Sequence, residues 1–223
     1  MIDFPAARRM MVDGQVRTSD VTDLRLIGAM LAVPRERFVP EAKADLAYLD
    51  FDLPVSEPAK RGSERRLLKP MVLAKLIQAA EVAEDNHVLV VGATTGYSSA
   101  VLGRLAGSVI ALEEDPALAR RAHENLRAVG ARNVTVVTGP LIQGWPGAAP
   151  YDVVILDGAS EVVPNTLFGQ LKDGGRLVGV IGRAPVSKAM LYRSTGGEVS
   201  GRPIFDATAP LLPGFAEPLA FVF

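Results

Sequence analysis

The chain has 223 residues, 48% of them hydrophobic and 22% charged, with a formal net charge of −1 and no cysteine. That balance suits one large globular domain, or one domain with a substantial extension, and it presents no field that would draw nucleic acid or an anionic membrane. The lack of thiols excludes disulfides, thiolate metal sites and a cysteine nucleophile, and fits a reducing compartment.

The first residues, MIDFPAARRMMVDGQVR, hold no apolar run of signal-peptide length. Residues 1–50 read as helical: TDLRLIGAMLAVP places Leu24, Ile27, Met30 and Leu31 at helical spacing. Ser19, Asp20 and Thr22 are candidate caps, and Pro34 ends the helix. Apolar segments such as LIGAMLAV at 26–33 are too short to span a bilayer, so the expectation is a soluble cytoplasmic protein. FDLPVSEPAKRGSERRLLK, residues 51–69, reads as an exposed arm rich in prolines and basic residues. A helix is predicted from Pro70, since proline is tolerated in a first turn.

From residue 87 strands alternate with helices: HVLVVG, the helix YSSAVLGRLAG, SVIALEED, the helix PALARRAHENLRAVG, NVTVVTG, YDVVILDG, the helix or long turn VPNTLFGQLKDGG, and RLVGVIG. Apolar strand runs between helices imply a mostly parallel sheet covered on both faces. AMLYRS, EVSGRPIFDA and PLAFVF read as further strands, with an antiparallel pair at one edge. The predicted fold is α/β and Rossmann-like, with residues 1–80 as a helical extension and substrate-side loop packed on a cofactor-binding unit of 81–223.

In such a sheet, ligands bind beyond the carboxyl ends of the strands, near the topological switch point. The turn after the first strand of that run is GATTGY. Gly92 and Gly96 permit close backbone approach, and Thr94 and Thr95 add hydroxyls. Glu113 follows the next strand, 21 residues after Gly92, where an acid accepts hydrogen bonds from ribose hydroxyls; Glu114 is the alternative, and strand alternation favours Glu113. Together these suggest an adenosine-containing ligand. A dinucleotide would call for G-x-G-x-x-G, only part of which is present. GATTG resembles the turn of some nicotinamide-dependent short-chain reductases, yet none of Tyr48, Tyr97, Tyr151 and Tyr192 begins a Tyr-x-x-x-Lys pair. A P-loop is excluded because Gly-Lys-Ser/Thr is missing, which leaves S-adenosylmethionine as a ligand with no phosphate to cradle. His87 and His123 read as structural or solvated, without metal-ligand spacing, and no metal site is expected. Trp145 reads as packing beneath the loop that follows the third strand of the run, and Gln15 and Arg17 as orienting the extension.

The sequence resembles the protein-L-isoaspartate O-methyltransferases over about residues 10–182. The resemblance is carried by MVDGQVR, DLRLIGAMLAVPRERFVP and AYLDFDLPV, then by VLVVGATTGYSSAVLGRLAG, VIALEEDPAL, NVTVVTG with GWPGAAPYDVVIL, and VPNTLFGQLKDGGRLVGVIG. It implies an S-adenosylmethionine-dependent enzyme that methylates the free carboxylate of L-isoaspartyl residues in damaged proteins or peptides. It also implies a cofactor site of Gly92, Ala93, Thr94, Gly96, Tyr97, Glu113, Gly139 and Leu141, with Glu113 as the ribose acid and Gly139 in the loop bordering the adenine.

Three positions depart from the family pattern. Where the family carries Gln-Thr-Ile-Ser before the helix-opening proline, this chain has RRLLKP, with Arg66 and Leu68 at the Thr and Ser positions. Pro140 stands where an aspartate often follows Gly139, and Val90 where an acid often precedes Gly92. A carboxylate nucleophile is already ionised at pH 7 and needs no general base. Losing one hydroxyl donor is expected to slow transfer by about 10²–10³-fold. Arg65, Arg66 and Lys69 are candidates to hold the substrate carboxylate, since guanidinium pairs carboxylate with two hydrogen bonds. The reading is an isoaspartyl methyltransferase, weakened. The alternatives are a cofactor-binding homologue that acts as a binding or regulatory module, and a nicotinamide oxidoreductase.

Overall fold

The protein is described by a computed structural model covering residues 2–57 and 64–217. Its centre is a seven-stranded sheet. Strands β3 (His87–Val91), β4 (Ser108–Glu113), β5 (Val134–Thr138), β6 (Tyr151–Ser160) and β7 (Leu171–Arg183) are joined by β8 (Val186–Thr195) and β9 (Glu198–Asp206), in the order β5-β4-β3-β6-β7-β8-β9. Pairing is parallel from β5 to β7, and β8 and β9 add antiparallel at one edge, as expected. The helix predicted around residue 165 is short, Asn165–Phe168 (α6), because β7 already begins at Leu171. PLAFVF, the last predicted strand, lies outside the described residues.

Both faces of the sheet are covered, so the strands read as continuous apolar runs. Alternation along a strand sends Val88 and Val90, with Val153, Ile155 and Val178, into one core. Leu89, Val91, Leu112, Val154 and Leu156 enter the other. The first core also receives the N-terminal segment. Helix α1 (Phe4–Met11) runs into wider and tighter turns to Ser19, followed by α2 (Leu24–Ala32) and α3 (Pro70–Ala79), and Met11, Val12, Val16, Leu26, Met30 and Phe38 are buried there. The cap of α2 is Asp23, whose carboxylate accepts from the backbone N–H of Arg25 (2.8 Å) and Leu26 (3.3 Å). None of Ser19, Asp20 and Thr22 fills that place, because the αL residue Asp20 ends the preceding turn three residues before the helix cap.

The arm departs from its expectation. Leu53–Pro54 (β1) and Arg66–Leu67 (β2) form a small antiparallel ladder, and Leu53, Val55, Leu67 and Leu68 are buried in the first core. In the described parts of the arm, buried Leu53, Val55, Arg65 and Leu67 alternate with the partly exposed Pro54, Ser56, Glu64 and Arg66, so a stretch with high charge still has an apolar side. The second core is closed by the segment after β9. Leu212 and Phe215 are buried in it. Backbone bonds from Ala159 N–H to Pro210 O (2.7 Å), Leu212 N–H to Ala159 O (2.9 Å) and Glu161 N–H to Phe215 O (2.9 Å) fasten this loop along the end of β6.

Candidate active site

The strand order reverses between β3 and β6, so the switch point lies where the turn after Val91 meets the end of β6. The turn is tight. Gly92 (φ +86°), Thr94 (φ +50°) and Gly96 (φ +96°) occupy the left-handed region, and the N–H groups of Gly92 and Ala93 both donate to Leu112 O. Gly96 opens α4 (Tyr97–Leu102), and a Cβ there would come within 3.2 Å of Leu126 on α5 (Pro116–Ala128). Its role is close helix packing. A Cβ on Gly92 would instead meet Leu212 Cδ2 at 2.6 Å and Arg65 Nη2 at 3.0 Å, with Leu141 at 3.7 Å. Gly92 therefore leaves room for side chains from two distant segments.

Glu113, the last residue of β4, is fully buried. Its Oε2 accepts from Thr94 N–H (2.8 Å), while Oε1 accepts from Glu114 N–H (3.0 Å), Asp115 N–H (3.1 Å) and Arg65 Nη1 (2.7 Å). Burial pushes its pKa up, and Arg65 and the backbone donors oppose that rise. The second guanidinium nitrogen of Arg65 donates to Gly92 O at 3.2 Å. The two threonines of the turn diverge. Thr95 Oγ1 donates to Phe38 O at 2.5 Å and ties the extension to the turn, whereas Thr94 Oγ1 has no partner among the described residues. Gly139 donates its N–H to Glu113 O (3.2 Å) and lies against the Trp145 ring, as expected of that tryptophan. Gly92, Ala93, Thr94, Glu113, Gly139 and Leu141 thus converge. Tyr97 turns away, its edge on Phe38 and its face under the Arg35 guanidinium, 4.6 Å from the ring centroid.

Two residues of the site escaped the sequence reading. Asp157, in the LDG at the end of β6, is buried, receives Ser98 Oγ on Oδ2 (2.5 Å) and leaves Oδ1 without a partner among the described residues. Desolvation pushes its pKa up to about 6 against the pull of Ser98, Arg65 and Arg35. The usable signal was an acid followed by glycine at the end of a buried strand. Arg35, also fully buried, donates to Ala47 O (2.7 Å) and Leu68 O (2.9 Å) and so fixes the backbone of the arm. No sequence pattern marks it.

Of the candidate substrate contacts, Arg65 is committed to Glu113. Arg66 pairs with Glu64 and donates to Asp52 O (3.1 Å). The backbone N–H of Lys69, the residue before α3, donates to the Asp52 carboxylate (2.9 Å). A cleft of about 560 Å³ opens between Asp52, Glu64, Arg65 and Arg66 on one wall and residues 208–216 on the other. A groove of about 690 Å³ lined by Arg8, Glu36, Arg37 and Arg104 lies at the carboxyl ends of α4 and α5, on the opposite side from the glycine turn. His87 is structural, bonded to Ser108 Oγ and Ala148 O and stacked on Tyr151, and His123 is exposed. Gln15 donates to Tyr48 O (2.8 Å) and Arg17 pairs with Asp13 on the surface.

The family model of protein-L-isoaspartate(D-aspartate) O-methyltransferase matches residues 7–205. The chain belongs to that family. A protein-L-isoaspartate O-methyltransferase 1 of Rhodopseudomonas palustris is 39% identical over 192 residues, 86% of this chain and 76% of the relative. That of Syntrophobacter fumaroxidans is 34% identical over 87% of this chain and 88% of its own length. Among solved structures, a protein-L-isoaspartate O-methyltransferase superposes with a TM-score of 0.80 at 25% identity, over 93% of this chain and 66% of that one. The Plasmodium falciparum protein-L-isoaspartate O-methyltransferase in complex with S-adenosyl-L-homocysteine gives 0.77 at 17% identity, over 92% of this chain and 97% of that one, and supports the fold alone. Against the family pattern, Leu68 points into the core and Arg66 along the arm, so neither residue restores the hydroxyls at these two positions.

Proposed function

We propose that this chain transfers a methyl group from S-adenosylmethionine to the free carboxylate of L-isoaspartyl residues in damaged proteins or peptides, a repair reaction, in the cytoplasm. The observation that carries the reading is the buried Glu113 carboxylate at the end of β4, held 2.8 Å from Thr94 N–H beside the Gly92 turn, in a chain that matches the family across residues 7–205. The residues fit an adenosine in kind: an acid for the ribose, a glycine turn beneath it, and Gly139 and Leu141 for the base. The space over Gly92 is filled in this conformation by Arg65 and Leu212, so both must give way.

When bound, the cofactor supplies an electrophilic methyl group on a sulfonium. This chain's own residues bind and align the acceptor. The substrate carboxylate enters the 560 Å³ cleft as an anion. Arg66 lies along its arm wall, and Arg65 joins it once it is free of Glu113. No proton has to be removed from the acceptor. Alignment in a closed cleft supplies acceleration by proximity. Leu68 offers no donor where the family has a hydroxyl, so a slow enzyme is expected.

The test is transfer of a radiolabelled methyl group to an isoaspartyl peptide and to its aspartyl isomer. Transfer confined to the isoaspartyl peptide supports the reading. Cofactor binding without transfer to either peptide overturns it in favour of a cofactor-binding module, a reading that the missing hydroxyls at Arg66 and Leu68 favour.

A further inference from the structure

The ribose acid already has a ligand, and it belongs to the chain. Arg65 places Nη1 at 2.7 Å from Glu113 Oε1 and Nη2 at 3.2 Å from Gly92 O. With Glu114 N–H and Asp115 N–H, this gives Oε1 three donors, more than its two lone pairs accept linearly. Leu212 covers what remains. Its Cδ2 lies 2.6 Å from where a Cβ of Gly92 would be and 2.7 Å from where a Cβ of Gly158 would be, so it touches both the β3 turn and the end of β6. The two residues arrive from opposite directions. Arg65 comes from the arm, one residue before β2, and Leu212 from a loop held to β6 by three backbone bonds.

We propose that Arg65 and Leu212 are resident occupants of the nucleoside seat, and that Arg65 sets cofactor affinity by competing with the ribose hydroxyls for Glu113. The proposal rests on the cofactor reading above. The guanidinium serves the empty protein, because a buried carboxylate without a counter-ion is costly. The same pairing makes the binding-competent state a minor one, and apparent affinity falls by the fraction of molecules that are open. Released, Arg65 has acidic neighbours at hand, since Asp52 and Glu64 line the same cleft. Gly92 and Gly158 are the complement of this arrangement. Each gives up its side chain at a point where Leu212, and not open space, meets the backbone.

The experiment is calorimetric titration of the full chain and of Arg65→Gln, Leu212→Ala and the double variant with S-adenosyl-L-homocysteine, each checked for a cooperative melt. Gln keeps a polar side chain without the cation. If the closed state holds nine molecules in ten, opening it tightens binding by about tenfold, with the double variant tighter than either single one. Equal or weaker binding by all three folded variants overturns the proposal and leaves the cofactor reading intact. No uptake by any folded protein, the double variant included, removes the cofactor reading and the proposal with it. If Arg65→Gln does not fold, Leu212→Ala decides alone. Methylguanidinium added to Arg65→Ala should return to the vacated seat and weaken S-adenosyl-L-homocysteine binding, with no such effect on the wild type. A lack of effect on Arg65→Ala would make Arg65 structural only and overturn its competing role.

Discussion

The glycine turn of residues 92–96 and the described parts of the arm, residues 52–57 and 64–69, face each other across the site and obey different rules. The turn is set by backbone: three left-handed residues, two N–H groups on one carbonyl, and glycines at the points of closest approach. The arm is set by side chains that sort themselves by face, with Leu53, Leu67 and Leu68 inward and Arg66 along the surface. Arg65 breaks that sorting. It is a cation that goes inward because an anion is already there. The turn therefore tolerates little change in conformation, whereas the arm tolerates changes of charge except at the residue that reaches the turn.

Substitutions separate the two regions by size of effect. Arg65→Ala should destabilise the most, by about 3–5 kcal/mol at pH 7, because it leaves Glu113 buried and unpaired. Urea unfolding at pH 7 and at pH 4.5 checks this, and the loss should shrink at the lower pH, where protonation relieves Glu113. A loss under 1 kcal/mol at pH 7 would mean that the three backbone donors suffice.

Asp157→Asn tests the floor of the site. The Asp157 pKa is raised to about 6 by burial, so the native state holds the proton more tightly than the unfolded chain. Wild-type stability from this group is present below about pH 4 and is lost as pH rises through about 6. The variant has no such loss. Its stability relative to wild type should rise by roughly 2 kcal/mol between pH 4 and pH 8. Parallel stability curves would contradict the raised pKa.

Gly92→Ala places a Cβ at φ +86° and 2.6 Å from Leu212 Cδ2, and should cost about 2 kcal/mol. In a Leu212→Ala background the cost should drop, because the clashing methyl is gone and only the backbone penalty remains. Additivity within about 0.5 kcal/mol would show that the two positions do not touch. Arg66→Ala should cost less than Gly92→Ala, since its pair with Glu64 sits at the partly exposed wall of the cleft and its loss strands no charge in the core. A larger loss would show that the outer side of the arm also carries the fold.

The sequence by itself determined the alternation of strands and helices, the position of the glycine turn and the acidic pair Glu113–Glu114 beyond it, and the structure buried Glu113 of the two. These are local patterns: continuous apolar runs of strand length, closely spaced glycines after a strand, and an acid one helix-strand step beyond the turn. It did not reveal that Thr95 bonds the extension at Phe38 O while Thr94 stays with the site, since the same hydroxyl chemistry serves either purpose and only the surroundings assign it. Basic composition made the arm read as exposed, because composition averages over the two sides that the β1–β2 ladder separates. Tertiary structure alone brought Arg65 across 48 positions to Glu113, and Leu212 back from beyond the last strand onto Gly92 and Gly158. Long-range charge pairing and side-chain packing leave no periodic trace in the chain. They depend on which surfaces meet after the sheet has formed.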